Sequence, residues 1–196
     1  MENKAWIGAM ETNLMTPTRQ SDVHSEQVLD LFETYHESIF AYLYRLLGDA
    51  EWAHDLTQDT FLRLFETRER LSGVENQRAW TYRIASNMAL NALKRRRRFR
   101  WLPWRDDDVL QGEGQLIQTN VVGAVEVEHE VSQALSAMTP DYRAPLLLYS
   151  QFDFSVREVA AVLGLSEGAV KTRLFRAREM FREAYEKANT SDEVQS

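Results

Sequence analysis

Phe154-Ser155-Val156-Arg157-Glu158-Val159-Ala160-Ala161-Val162-Leu163-Gly164-Leu165-Ser166-Glu167-Gly168-Ala169-Val170-Lys171-Thr172-Arg173-Leu174-Phe175-Arg176-Ala177-Arg178-Glu179 reads as two helices joined by a glycine turn. Ser155 and Glu158 form an S-x-x-E capping box, which starts a helix by pairing its orphan backbone N–H groups. Val156, Val159, Ala160 and Leu163 follow at helical spacing and make one buried face. Gly164 stands where a helix stop needs a residue tolerant of positive φ. Leu165 can plug the corner, and Ser166 caps the next helix. Val170, Leu174 and Ala177 fall on the inner side of that helix. Lys171, Thr172, Phe175, Arg176 and Arg178 fall largely on its other sides. A plain amphipathic hairpin with a solvated basic face would share some of these features. Caps, turn glycine and exposed cations together favour a helix-turn-helix, which places its second helix in the DNA major groove.

The remaining sequence extends that reading. The chain has 196 residues, enough for one domain or two small ones, and 44% hydrophobic residues suffice for packed cores. It has no cysteine, which excludes disulfides, thiolate metal sites and thiol redox sensing. Its four His residues are scattered, so no metal or cofactor is expected. No apolar run approaches the ~20 residues of a membrane span. Residues 1–21 lack a basic start followed by an apolar core, so no secretory signal is expected. These features point to a cytoplasmic protein without membrane insertion.

A net charge of −7 is unexpected for a DNA binder, but the charge is unevenly placed. Residues 83–105 carry eight basic side chains and no acidic one. Residues 22–75 carry twelve acidic against four basic. One surface can therefore hold phosphate while another repels it, and the acidic half points to a protein partner.

Two helical blocks are expected. The first, 26–98, holds a helix over 26–47 ended by Gly48, a second over 50–67, a loop over 68–77 and a third helix over 78–98. Residues 99–125 contain Pro103, the acidic run Asp106-Asp107-Asp108, Gly112 and Gly114, and read as an extended linker. The second block, 126–188, starts with a helix over 126–138. Thr139-Pro140-Asp141 then supplies a cap, an N1 proline and an acidic first turn for another. The helix-turn-helix follows, with a long tail helix. Residues 1–25 and 189–196 are expected to be flexible. The fold class is thus all-α, with two small helical domains, a three- to four-helix one and a four-helix one, joined by an extended linker.

Two other constellations carry chemistry. Asp55 and Asp59 stand four apart on a helix beside apolar groups. Paired catalytic carboxylates would need a base or metal nearby, and none stands close in sequence, so a protein-docking face is preferred. Lys94 to Arg98 is a cationic run at a helix end, where it also complements the helix dipole. Asn76, Gln77, Trp80, Tyr82, Arg83, Asn87 and Asn91 lie just upstream. Amides, aromatics and cations together suit unstacked single strands as well as duplex phosphates.

Three stretches resemble the extracytoplasmic-function sigma factors of bacterial RNA polymerase. They are Asp55-Leu56-Thr57-Gln58-Asp59-Thr60-Phe61-Leu62-Arg63-Leu64, Arg78-Ala79-Trp80-Thr81-Tyr82-Arg83-Ile84-Ala85-Ser86-Asn87, and the helix-turn-helix with Lys171-Thr172-Arg173-Leu174-Phe175-Arg176-Ala177-Arg178. They occur in the family's order and spacing across about residues 26–187. The resemblance implies a region 2-like domain at 26–98 and a region 4-like domain at 126–188. It implies a non-enzymatic promoter-specificity subunit that binds core RNA polymerase and promoter DNA. Asp55, Leu56, Gln58, Asp59 and Phe61 would dock on polymerase. The loop Val74, Glu75, Asn76 and Gln77, with Tyr82, Arg83, Asn87 and Asn91, would read and help open the −10 element. Lys171, Thr172, Arg173 and Arg176 would read the −35 element as duplex. The linker would thread toward the polymerase active centre, its acids taking a path used by nucleic acid. Weak DNA binding by the free chain is expected. No further regulatory domain is expected either, so control would be external, by an anti-sigma factor. A free-standing helix-turn-helix regulator is the alternative, and a magnesium-dependent nuclease using Asp55 and Asp59 a remote third.

Overall fold

A computed structural model describes residues 19–99 and 125–193. It contains seven α-helices and one 3-10 turn, and no strand among the described residues. The order is α1 (Arg19–Leu47), α2 (Ala50–Glu66), the 3-10 turn (Arg68–Gly73), α3 (Gln77–Phe99), α4 (Val125–Ser136), α5 (Pro140–Ser150), α6 (Val156–Leu163) and α7 (Glu167–Glu193).

Local chemistry sets most boundaries. Gly48 takes φ +74 and stops α1, a conformation that costs glycine least. Asp49 accepts from the Trp52 amide at 3.0 Å and starts α2. The Asn76 side chain accepts from the Ala79 amide at 2.8 Å and starts α3. At α6 both halves of the Ser155–Glu158 capping box form, and Gly164 closes the helix at φ +66. Ser166 accepts from the Ala169 amide at 3.2 Å and opens α7. Thr139, by contrast, makes no side-chain cap bond, so α5 starts on the preset φ of Pro140.

α1, α2 and α3 share one core. Ile39, Tyr42, Leu43 and Leu46 of α1 pack with Ala53 and Leu64 of α2 and Ala85 and Ala89 of α3, all fully buried. The buried Tyr42 hydroxyl is satisfied by Ser86 Oγ at 2.8 Å. Burial pushes the Tyr42 phenol pKa up, with the Ser86 bond opposing it, so the group stays neutral. α4 to α7 and the turn before α5 bury Leu135, Met138, Leu148, Val159, Val162, Val170, Leu174 and Ala177, in one cluster continuous with that of α1 to α3. Each fully buried Leu or Val contributes about 1.5–3 kcal/mol relative to exposure.

Three boundaries differ from the sequence reading, and one proline is accommodated inside a helix. α1 begins at Arg19, so residues 19–25 are helix rather than extension; His24 and Val28, one turn apart, are buried together. Part of the 68–77 loop is a 3-10 turn, anchored by the fully buried Leu71. The tail helix continues to Glu193, past the expected end at 188. Pro145 sits inside α5 without breaking it. Proline cannot donate to the carbonyl four residues back. That carbonyl, Asp141 O, instead faces Arg173 Nη1 at 3.5 Å. The linker over 100–124 and its acidic run lie outside the described residues.

The two helical blocks touch. α3 packs on α6, and α1 packs on α5.

Candidate nucleic-acid interface

The recognition half of α7 presents Lys171, Thr172, Phe175 and Arg176 to solvent. Val170, Leu174 and Ala177 are buried where α7 packs on α4, α5 and α6, which fixes its outward face. The Thr172 hydroxyl donates to the Gly168 carbonyl at 3.0 Å and leaves its oxygen free to accept. Arg176 Nη1 reaches the Tyr142 hydroxyl at 3.4 Å, a long contact easily exchanged for DNA. Arg173 differs from its neighbours. It is half-buried and turned toward α5, 3.9 Å from the Asp141 carboxylate. Its task in this structure is to cover the carbonyl that Pro145 leaves open. Phe175 was not among the sequence candidates, yet it is 64% exposed on the same face as Lys171 and Thr172. An apolar residue off the 170-174-177 stripe was the available signal.

α3 carries the second surface. Arg83, Asn87 and Asn91 are exposed at four-residue intervals, so they line one stripe that continues toward the exposed Lys94, Arg95 and Arg98. Ahead of the helix, Glu75 and Asn76 are exposed, while Val74 and Gln77 are half-buried. Tyr82 corrects the sequence reading: it is 1% exposed and cannot meet DNA in this conformation. It shares the inner side of α3 with Ala85 and Ala89. Its ring lies 5.5 Å from Tyr42, 5.6 Å from Phe152 and 4.8 Å from Phe154. Burial raises its pKa, with hydrogen bonding to Ser38 and the charge of Arg78 opposing.

α2 carries the acidic surface. Asp55, Gln58 and Asp59 are exposed. Leu56 and Phe61 are buried, which corrects their assignment as surface contacts. The Phe61 ring meets Phe32 of α1 edge-on at 5.0 Å. The apolar groups that do accompany the acids are Leu62, 61% exposed, and Phe65. Spacing could have found them: Leu62 follows Asp59 by three and Asp55 by seven, the same helical face.

Between the surfaces lies a seam. Asn76 Nδ2 donates to Glu158 Oε1 at 2.9 Å. Glu158 Oε2 meanwhile accepts from the Ser155 amide and hydroxyl at 2.9 and 2.7 Å. The Ser155 amide and hydroxyl hold the Glu158 carboxyl below its ordinary pKa, with Asn76 and Arg78 adding to the effect. Arg78 donates to the Phe152 carbonyl and stacks over the Phe154 ring at 4.2 Å. Arg143 donates across the blocks to Leu46 O at 2.9 Å.

Comparison with known proteins identifies both helical blocks. Residues 31–99 match the family described as Sigma-70 region 2, and residues 128–181 match Sigma-70, region 4. The chain is 25% identical over 163 residues to the ECF RNA polymerase sigma factor SigW of Bacillus subtilis, covering 78% of this chain and 86% of that protein. It is 30% identical over 173 residues to ECF RNA polymerase sigma factor SigE of Mycolicibacterium smegmatis, covering 85% of this chain and 64% of that protein. Its fold resembles the sigma factor RpoE of Bartonella quintana, solved in complex with the anti-sigma factor NepR, with TM-score 0.69 and 23% identity over 85% of this chain and 98% of that one. With both regions matched in order, and with relatives of this kind along most of its length, the chain belongs to the extracytoplasmic-function group of the sigma-70 family and is an alternative sigma factor for promoter-specific transcription.

Proposed function

We propose that the three surfaces divide the work of initiation. The acidic face of α2, with Asp55, Gln58 and Asp59 around Leu62 and Phe65, docks on core RNA polymerase. Leu56 and Phe61 support that face from inside. The loop at 74–77 and the stripe Arg83, Asn87 and Asn91 take the −10 element. Lys171, Thr172 and Arg176, with Phe175 against a thymine methyl, read the −35 element. Arg173 joins them only by leaving Asp141. Unstacking a base costs a few kcal/mol, which amide and cation contacts along α3 and the polymerase interface offset. The protein works in the cytoplasm without catalysing a reaction or binding a cofactor, and an anti-sigma factor controls it. Among the described residues no helix is long and apolar enough to cross a membrane. The observation that carries the reading is the α3 stripe, because a free-standing helix-turn-helix regulator has no need of a second, single-strand-type surface.

Asp55→Arg tests the docking face. The residue is exposed and outside the core, so the fold should be unaffected. Its affinity for core polymerase, read by titration of labelled protein, should fall about fivefold, or ~1 kcal/mol. Unchanged affinity would place docking elsewhere.

A further inference from the structure

We propose, resting on the −35 assignment above, that Gly168 is the point at which α7 meets the DNA, and that its lack of a side chain sets how deep the helix enters the major groove. Only at that depth does the short side chain of Thr172 reach a base.

The fold itself gives no reason for glycine here. Gly168 lies in the first turn of α7 and has no positive φ, unlike Gly48 and Gly164. A Cβ built on it would meet nothing within 4 Å. Alanine would therefore fit. It would also stabilise the helix, because glycine loses more backbone freedom on folding than any other residue. A residue that weakens its own helix, and that neither packing nor backbone demands, is explained by a body that approaches from outside.

Its place on the helix says what that body is. Gly168, Thr172, Phe175 and Glu179 are all exposed, at intervals of four, three and four, and so form one row. At about 100° per residue that row lies opposite the buried Val170, Leu174 and Ala177. It is the row that would lie deepest in a groove, with Lys171 and Arg176 flanking it. The row ends on an acid, Glu179, roughly 16 Å beyond Gly168 at 1.5 Å per residue. Phosphate repels an acid, so DNA lies against the N-terminal part of the row. A recognition helix also presents its N-terminal residues to the base edges. Gly168 heads that part.

Reach makes the bare position matter. A methyl group at 168 would move the helix surface out by about 1.5 Å, one C–C bond. A hydrogen bond of about 3 Å does not survive such a stretch. Long side chains such as Lys171 and Arg176 can extend to follow. Thr172, one turn along from Gly168, cannot, because its hydroxyl sits one bond beyond Cβ. That hydroxyl is also held, since it donates to the Gly168 carbonyl at 3.0 Å. With its proton so used, it is left to accept from the amino group of adenine or cytosine, the donors that the major groove offers. Gly168 thus serves Thr172 twice, by clearing its approach and by orienting its oxygen.

The test is competition between matched and scrambled −35 duplexes for the holoenzyme, with the matched sequence taken from the start sites that run-off transcription defines. Gly168→Ala should raise the urea midpoint of the free protein and yet weaken matched-duplex binding about tenfold, with a smaller loss on the scrambled duplex. A merely structural role would move stability and binding in the same direction. Thr172→Ala should cost about fivefold alone, and less than about twofold once Gly168→Ala is present, because the helix then stands too far out for the hydroxyl to matter. Unchanged matched-duplex binding by Gly168→Ala overturns the inference. So do equal losses on both duplexes, a Thr172→Ala loss of the same size in both backgrounds, or a lower urea midpoint, which would show that the fold needs the glycine. Arg176→Ala separates this from the −35 assignment. If it loses matched binding while Gly168→Ala does not, only the role of Gly168 falls. If Arg176→Ala, Thr172→Ala and Gly168→Ala all bind both duplexes as the unmodified chain does, the −35 assignment falls and the role of Gly168 with it.

Discussion

Arg143→Ala should cost about 2–4 kcal/mol of folding stability. Arg143 is 8% exposed and donates to Leu46 O at 2.9 Å, Ser136 O at 2.8 Å and Met138 O at 2.7 Å. Two of those carbonyls belong to the end of α4 and the turn after it, and the third to the end of α1. Helix ends leave carbonyls without intrahelical partners, so the guanidinium serves as a shared cap. Removing it strands two buried acceptors, Leu46 O and Met138 O, and the part-buried Ser136 O, a buried one costing about 1–3 kcal/mol if water cannot reach it. Relief of the buried charge and water entry offset part of that. Burial lowers the Arg143 pKa to about 10, so the group is still charged at neutral pH and the folded chain bears the desolvation cost there. A urea titration should show a lower midpoint at unchanged slope. Arg143→Lys should recover only part of the loss, because an ammonium cannot span the same forked set of acceptors. A loss under ~1 kcal/mol for Arg143→Ala would mean that the three carbonyls are hydrated without it.

Arg176→Ala should weaken −35 recognition by about 1–3 kcal/mol if the guanidinium reads a base edge. The side chain is exposed, and its one long contact to Tyr142 leaves most of its donors available. Arg176 lies beyond the helix core, so the substitution should not disturb folding. The check is competition between matched and scrambled −35 duplexes for the holoenzyme. A loss confined to the matched duplex assigns a base contact. Equal losses on both assign a phosphate contact, which fixes register but carries no sequence information.

The parts of this fold that were legible in the sequence are those decided within a few residues. In the Ser155–Glu158 box two side chains act on their neighbouring backbone, and Gly164 takes positive φ because it has no side chain to oppose it. The acid face of Asp55 and Asp59 and the stripe of Arg83, Asn87 and Asn91 were legible for a similar reason, since helical spacing alone aligns them. What the sequence left open is tertiary. Tyr82 reads as an accessible aromatic until Phe152 and Phe154, some seventy positions later, cover it. Leu56 and Phe61 look like docking groups until the packed core buries them, Phe61 against Phe32 of α1. Arg173 shares the basic face of its neighbours by composition, but Pro145 on another helix creates the open carbonyl that draws it away. Arg143 looks like any surface arginine because its three acceptors lie on the backbone, where no residue type marks them.

Run-off transcription decides the account most directly. Purified bacterial core polymerase would transcribe a fragmented genomic library from the source organism, with and without this protein. Discrete new transcripts requiring both components are the expected result, and their start sites would reveal the −10 and −35 sequences that α3 and α7 read. No new transcripts, together with DNA shifted by the protein in the absence of polymerase, would contradict a promoter-specificity subunit and favour a free-standing regulator.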